Sequence, residues 1–139
     1  MILIVKTKDE LIASYRIRKT VFIEEQHVAY EEEFDLDDDH YVVLLSYHEG
    51  IAVATARMRQ LGSDLKVGRV ATLQEYRHQG HAKALMEEAI RYGRNLHLQK
   101  VILDAQLTAI PFYEKIGFQT IGDIFLDANI EHKKMIYLL

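Results

Sequence analysis

The sequence predicts a mixed α+β domain in which one mostly antiparallel sheet is flanked by helices. Strand-like runs joined by short turns fill residues 41–73, an amphipathic helix follows at 81–97, and an apolar strand at 101–103 comes directly after that helix. A strand–helix–strand passage of this length implies one parallel strand pair. A single domain over residues 1–139 is expected, because the sequence contains no Gly/Ser-rich linker and no internal repeat.

The first part of the chain predicts a strand, a long helix and an acidic loop. Residues 2–6 read as the strand, and Thr7–Glu10 has the spacing of a capping box that opens a helix through about Gln26. The run at residues 31–39 is rich in Asp and Glu and is interpreted as a solvated loop. The residues predicted to share the buried face of the helix are Leu11, Tyr15, Arg18, Val21 and Phe22.

The remaining elements follow from periodicity and from turn residues. Strands are predicted at 41–45, 51–60, 65–73, 101–103, 118–125 and 132–138, with helices at 81–97 and 108–115. Glu49-Gly50 and Gly62-Ser63-Asp64 mark the turns of an antiparallel meander. In the last helix, Pro111 is tolerated near the start and Gly117 acts as the stop.

Composition excludes several classes of function. The chain has no cysteine, which rules out disulfides, a catalytic thiol and thiolate metal sites and fits a cytoplasmic location. Net charge is −4 without a basic block, so nucleic acid is not an expected partner. The apolar residues 1–5 are too few for a signal peptide or a membrane span. No metal site is predicted, because His78 and His81 lack a third ligand and the Asp35-x-Asp37-x-Asp39 run lacks the rest of a calcium loop.

The segment around Gly80 carries the chemical signal. A strand runs into a short polar loop and then directly into a long helix, so unpaired N–H groups and the helix dipole converge on one spot that suits an anion. Gly80 lets the backbone approach a ligand, and Arg77 supplies positive charge. P-loop and dinucleotide-binding fingerprints are both missing. Taken alone, Arg77-x-x-Gly80 fits an anion cradle and a plain strand–helix link equally well.

Two motifs together resemble a known superfamily. Arg77-His78-Gln79-Gly80-His81-Ala82 resembles the Arg/Gln-x-x-Gly-x-Gly/Ala pyrophosphate loop of GNAT acyl-CoA transferases. The segment from Ala109 to Phe118 is similar to the second hallmark of that family, Ala-x-x-Phe/Leu-Tyr-Glu-Lys-x-Gly-Phe. The resemblance covers essentially the whole chain. Val21–Gln26, His40 and a late His132-x-x-Met135 resemble further features of a GNAT subgroup.

The resemblance implies an N-acetyltransferase that uses acetyl-CoA as acyl donor and a primary amine of a small molecule or peptide as acceptor. It implies that the strand before the loop splays from its parallel neighbour and pairs with pantetheine, while the loop amides hold the pyrophosphate. A homodimer is one arrangement that the family suggests. The cofactor-binding residues implied are Val70, Ala71, Thr72, Arg77, His78, Gln79, Gly80, His81, Ala82, Lys83, Gln106 and Phe112.

The resemblance also implies catalytic roles, with alternatives. Tyr113 is expected to protonate the departing CoA thiolate, or else is a packed aromatic residue. A backbone N–H near Val70 to Thr72 would support the oxyanion. The general base stays open among Asp104, Glu24, Glu25 and His40. Without turnover, the same fold would serve as an acyl-CoA sensor or scaffold.

Three arginines on the predicted meander allow two interpretations. Arg57, Arg59 and Arg69 read as solvated charges on strand faces. The alternative is that Arg57 or Arg69 holds an acidic acceptor.

Overall fold

The computed structural model describes residues 1–34 and 40–139, and seven strands and four α-helices are found there. The acidic residues 35–39, which include the calcium-like pattern, lie outside the described residues. Within the described ranges, no helix is long and apolar enough to cross a membrane. The elements are β1 (Ile2–Ile4), α1 (Lys8–Arg18), α2 (Tyr30–Glu33), β2 (Val42–His48), β3 (Ile51–Leu61), β4 (Asp64–Thr72), α3 (His81–Asn95), β5 (Lys100–Gln106), α4 (Ile110–Ile116), β6 (Gln119–Asp127) and β7 (Ile130–Leu138).

The first helix begins at the predicted capping box. The Thr7 hydroxyl accepts from the Glu10 N–H at 3.2 Å, and the Glu10 carboxylate accepts from the Thr7 N–H at 3.0 Å. After α1 the chain continues as a π-helical segment, Lys19–Glu25, so the predicted helical length is confirmed.

The buried face of this helix is rotated from the prediction. Ser14 is buried because its hydroxyl lies 2.7 Å from that of Thr55 in β3, whereas Leu11 and Tyr15 are only half-buried. Ser14 thus takes the central place on the face where the periodicity placed larger side chains. The buried residues of the helix and its π-helical extension are Ser14, Ile17, Arg18, Val21 and Phe22.

All strands form one sheet in the order β1-β2-β3-β4-β5-β7-β6. Every neighbouring pair is antiparallel except β4–β5, which confirms the predicted fold class. Strand β5 is longer than predicted because β7 pairs with its whole length, from Lys100 opposite Leu138 to Gln106 opposite His132. Backbone pairing with β7 therefore extends the strand through the polar residues Asp104 and Gln106.

The parallel pair opens along its length. Asp64, Leu65 and Lys66 pair with residues 100–102, and the ladder between β4 and β5 ends there. The rest of each strand diverges from its neighbour, as the family resemblance implied for the strand before the loop.

A β-bulge lies in the diverging part of β4. Thr55 pairs with Ala71, whereas Arg57 pairs with Gly68, so Arg69 and Val70 together stand opposite Ala56. The backbone of Arg69 has a φ of 52°, which an arginine seldom adopts. A bulge releases backbone groups from the strand ladder and bends the strand.

The two faces of the sheet are covered by different helices. Leu85, Met86, Ala89 and Ile90 of α3 pack with Leu44 on one face. The α1 segment packs through Ile17, Val21 and Phe22 against Leu45 and Ala71. Because Leu44 and Leu45 are adjacent in a strand, they point to opposite faces. The core thus fixes α3 so that its amino terminus lies at the open end of the β4–β5 gap.

Candidate active site

A cleft of about 800 Å³ occupies the gap between the diverging strands. Its walls are the second halves of β4 and β5, the loop that leads into α3, the first part of α4, and the turn between β6 and β7. The end of the π-helical segment and α2 also border it, at Gln26 and Glu33. The site is therefore built where two parallel strands separate, and several other segments of the described chain enclose it.

Nearly all residues that the sequence singled out line this cleft. Both predicted catalytic residues, Tyr113 and Asp104, are among them. Among the predicted cofactor-binding residues Gln79 is the exception: it is exposed, and its amide donates to the carbonyl of Glu75 at 3.3 Å. The predicted cofactor-binding residues in the lining are Val70, Ala71, Thr72, Arg77, His78, Gly80, His81, Ala82, Lys83, Gln106 and Phe112.

The loop before α3 has the geometry of an anion cradle. Gly80 has a φ of 88° and caps a helix whose amino terminus has no side-chain cap, so the first amides of α3 keep their donors for a ligand. A Cβ built at Gly80 would meet no atom of the described residues within 4 Å, so these residues leave the space beside the loop open. His78 is also left-handed, with a φ of 64°. The described loop therefore presents backbone donors and a dipole to the cleft.

Arg77 holds the loop in place through two contacts. Its Nε donates to the carbonyl of Thr72 at 3.0 Å, and its two Nη atoms donate to the carboxylate of Glu25 at 2.7 Å each. This hydrogen-bonded arginine lowers the pKa of Glu25 below its ordinary value. The motif predicted that the positive charge of Arg77 serves the ligand, whereas the structure pairs this charge with Glu25. Arg77 therefore joins the end of β4 to the π-helical segment.

His81 starts α3 and faces strand β2. Its Nδ1 lies 2.7 Å from the Ser46 hydroxyl, and its ring is 5.9 Å from that of His48. Burial, followed by the proximity of His48, lowers the pKa of His81. The neutral ring is therefore the favoured form at the base of the anion cradle.

Tyr113 is a packed aromatic residue whose hydroxyl stays protonated. The residue is 7% exposed, and its ring centroid lies 5.0 Å from that of Phe112 and 5.8 Å from that of Phe118. Burial raises the pKa of the Tyr113 hydroxyl above its ordinary value. This geometry agrees with both predictions for Tyr113, the proton donor and the packed aromatic residue, because a buried neutral phenol packs well and can also donate a proton.

The candidate bases are placed very differently. Asp104 lines the cleft, is exposed, and stands opposite Lys134 in the β5–β7 register. Glu24, Glu25 and His40 are outside the residues that form the described cleft wall. Beside Asp104, the Gln106 amide donates to Gln26 at 2.8 Å, which joins β5 to the end of the π-helical segment.

A buried charge cluster was missed at the level of sequence. Arg18 donates from Nε to the Glu33 carboxylate at 2.7 Å, and the Arg69 Nε lies 3.0 Å from the other carboxylate oxygen. Burial raises the pKa of Glu33, and the positive charges of Arg69, Arg18 and Arg57 oppose that shift. The prediction that Glu33 belongs to a solvated loop is wrong, because the residue is 2% exposed. Arg18 on the buried helix face was the available signal, since a buried cation needs an anionic partner.

The same cluster corrects the reading of the strand arginines. Arg57 is 6% exposed and its guanidinium lies 4.0 Å from the centroid of the Tyr41 ring, so it is not a solvated strand-face charge. Arg69 is half-buried and binds Glu33. Both arginines and Glu33 line the cleft, so part of its wall is charged.

Comparison with known proteins identifies the family. The model of the acetyltransferase (GNAT) domain matches residues 5–139. The chain belongs to the GNAT acetyltransferase family. This confirms the predicted superfamily and the class of acyl-CoA-dependent N-acyltransferase.

Relatives agree along nearly the whole chain. The uncharacterized N-acetyltransferase YjcF of Bacillus subtilis is 30% identical over 134 residues, covering 96% of each protein. An acyl-CoA N-acyltransferase structure from Pseudomonas aeruginosa has a TM-score of 0.86 at 27% identity and covers 98% of this chain and 97% of its own. An aminoglycoside 6′-N-acetyltransferase solved with coenzyme A shares the fold, with a TM-score of 0.76 at 10% identity and coverage of 99% and 96%.

Proposed function

We propose that this GNAT protein transfers an acetyl group from acetyl-CoA to a primary amine of a small molecule or peptide. The observation that carries the proposal is one continuous cleft that joins the opened β4–β5 pair to the uncapped amino terminus of α3. The opened strands suit an extended amide-containing arm, and the helix terminus suits a pyrophosphate. Few other ligands have both parts in this order.

Acetyl-CoA would be held mainly by backbone groups. Val70, Ala71 and Thr72 lie on the diverging edge of β4, where the pantetheine amides would complete the unpaired strand. The amides from His78 to Lys83 would receive the pyrophosphate. Arg77 contributes by fixing the loop rather than by neutralising phosphate, because Glu25 already pairs its guanidinium.

The reaction is a direct attack by the neutral amine on the thioester carbonyl. The pKa of an alkyl ammonium group is about 10.4, so the amine arrives protonated and must first lose a proton to a base or to water. The carbon–nitrogen bond forms, the carbon–sulfur bond breaks, and the developing oxyanion is supported by a backbone N–H at the β4 bulge near Val70. Tyr113 protonates the sulfur that leaves. With no cysteine in the chain, the sequence offers no thiol for a covalent intermediate on the enzyme.

A homodimer and a cytoplasmic location are also proposed. The outermost strand, β6, exposes Ile124 by 52% and Leu126 by 67% along its unpaired edge. An apolar strand edge of this kind is normally covered, and a second copy would cover it symmetrically. Light scattering of the purified protein tests the homodimer, and a monomer at micromolar concentration would contradict it.

The test of the function is release of free thiol from acetyl-CoA in the presence of a panel of polyamines, aminoglycosides, amino acids and peptides. At least one amine should raise thiol release well above the rate of hydrolysis, and mass spectrometry should show the acetylated amine. Tight binding of acetyl-CoA without turnover of any amine would instead support a sensor or scaffold. Absence of acetyl-CoA binding would contradict both readings.

A further inference from the structure

His132 lies in the cleft wall beside the carboxyl end of β5. It belongs to β7, where it stands opposite Gln106 of β5 and Phe125 of β6. The residue is 8% exposed and lines the cleft together with Tyr113 and Asp104. His78 and His81 also line the cleft, in the loop and first turn that form the anion cradle. His132 is therefore the cleft histidine that stands at the carboxyl end of β5.

The contacts of His132 fix which ring nitrogen carries the proton. Nδ1 lies 2.7 Å from the backbone carbonyl oxygen of Ile130. A carbonyl oxygen only accepts, so Nδ1 must be the donor, and the neutral ring then keeps its lone pair on Nε2. The ring also stacks on Phe125, with centroids 5.8 Å apart and planes 23° apart. Two neighbours thus hold the imidazole in one tautomer and one orientation.

We propose that Nε2 of His132 is the general base that takes a proton from the acceptor ammonium, a role that rests on the proposed acetyl transfer. Three carboxylates in or beside the cleft are less suited. Glu25 is held by Arg77, Glu33 is held by two arginines, and Asp104 stands beside Lys134. As a class, imidazole is the side chain most often used for proton transfer near neutral pH, and Nε2 of His132 carries the lone pair that can accept a proton from an ammonium.

The proton balance closes with the residues present. Of the three ammonium protons, one passes to Nε2 of His132 and then to solvent. A second leaves the nitrogen after the carbon–nitrogen bond forms and replaces the proton that Tyr113 gives to the CoA sulfur. The third stays on the product amide. The other titratable groups that line the cleft on the elements packed around His132 are Asp104 of β5, Tyr113 and Lys115 of α4, and Asp127 of β6.

The test variant is His132→Asn, which keeps an N–H near the position of Nδ1 for the Ile130 carbonyl and removes Nε2. With the panel amine of highest turnover, we expect kcat/KM at neutral pH to fall by about 10²-fold or more. The acid limb of its pH profile should disappear, while acetyl-CoA affinity and thermal stability stay unchanged. The control is His97→Asn, because His97 is exposed and lies outside the cleft wall and its φ of 57° suits asparagine.

A second readout tests the tautomer without turnover. In ¹⁵N-labelled protein, a long-range ¹H–¹⁵N spectrum should show the neutral His132 ring protonated on Nδ1. A ring protonated on Nε2, or a His132→Asn variant with full kcat/KM and an unchanged acid limb, would overturn the inference while leaving acetyl transfer intact. If the unmodified protein releases no thiol with any panel amine, both the transfer and the base are refuted.

Discussion

Replacing Tyr113 with phenylalanine separates its packing from its chemistry. Its ring contacts Phe112 and Phe118, and these contacts survive in Tyr113→Phe. Among the described residues the hydroxyl has no hydrogen-bond partner, so its removal should not lower the free energy of unfolding. Loss of general acid help should lower kcat by about 10²-fold, equivalent to about 2.7 kcal/mol in the activation barrier.

The pH dependence of that effect has a definite sign. Because burial raises the pKa of the Tyr113 hydroxyl, the donor stays protonated throughout the neutral and mildly alkaline range. The alkaline limb of the wild-type profile should therefore not report this residue, and the loss in Tyr113→Phe should be constant across that range. Steady-state thiol release measures kcat, and calorimetric titration with CoA checks that affinity is retained.

A matched variant controls for removal of a tyrosine hydroxyl as such. Tyr137 accepts a hydrogen bond from Arg94 at 3.2 Å and lies outside the described cleft wall, so Tyr137→Phe should keep full kcat. If Tyr113→Phe also keeps full kcat, Tyr113 is a packing residue and the sulfur is protonated by another group.

Three further perturbations test the loop, the charge cluster and the titration of His81. Gly80→Glu should abolish CoA binding in a calorimetric titration, whereas Gly62→Glu, equally left-handed but in a hairpin turn outside the cleft wall, should retain it. Glu33→Ala should lower the free energy of unfolding by about 3–5 kcal/mol in denaturant titrations, because Arg18 loses its carboxylate, while Glu32→Ala, which leaves the carbonyl contact to Arg69 in place, should change little. Because the pKa of His81 is lowered in the folded state, the unfolded chain binds the extra proton as the pH falls. The thermal unfolding midpoint should therefore decrease as the pH is lowered from about 7.5 to 5.5. The His81→Asn variant should show a smaller decrease. Equal CoA affinity of the two glycine variants, equal stability of the two glutamate variants, or an unchanged pH slope would contradict the corresponding assignment.

The sequence alone determined the elements and the position of the loop. The capping box at Thr7, the amphipathic face of α3 and the turns at Gly50 and Gly62 are local signals that depend on a few neighbouring residues. The strand–helix–strand order around Gly80 fixed the single parallel pair, because a crossover of that length permits little else. The Arg77–Ala82 motif and the segment around Tyr113 indicate the family, because both are short local patterns.

Only the tertiary structure decided which polar groups meet. Arg77 reaches Glu25, and Arg18 reaches Glu33, across segments that no sequence spacing brings together. The same holds for His132, whose place beside Gln106 follows from the insertion of β7 between β5 and β6. Such partners are set by strand order and by the direction of side chains in the folded sheet. The motifs could therefore predict a cleft for acyl-CoA through the family resemblance, whereas the charges within the observed cleft depend on long-range packing.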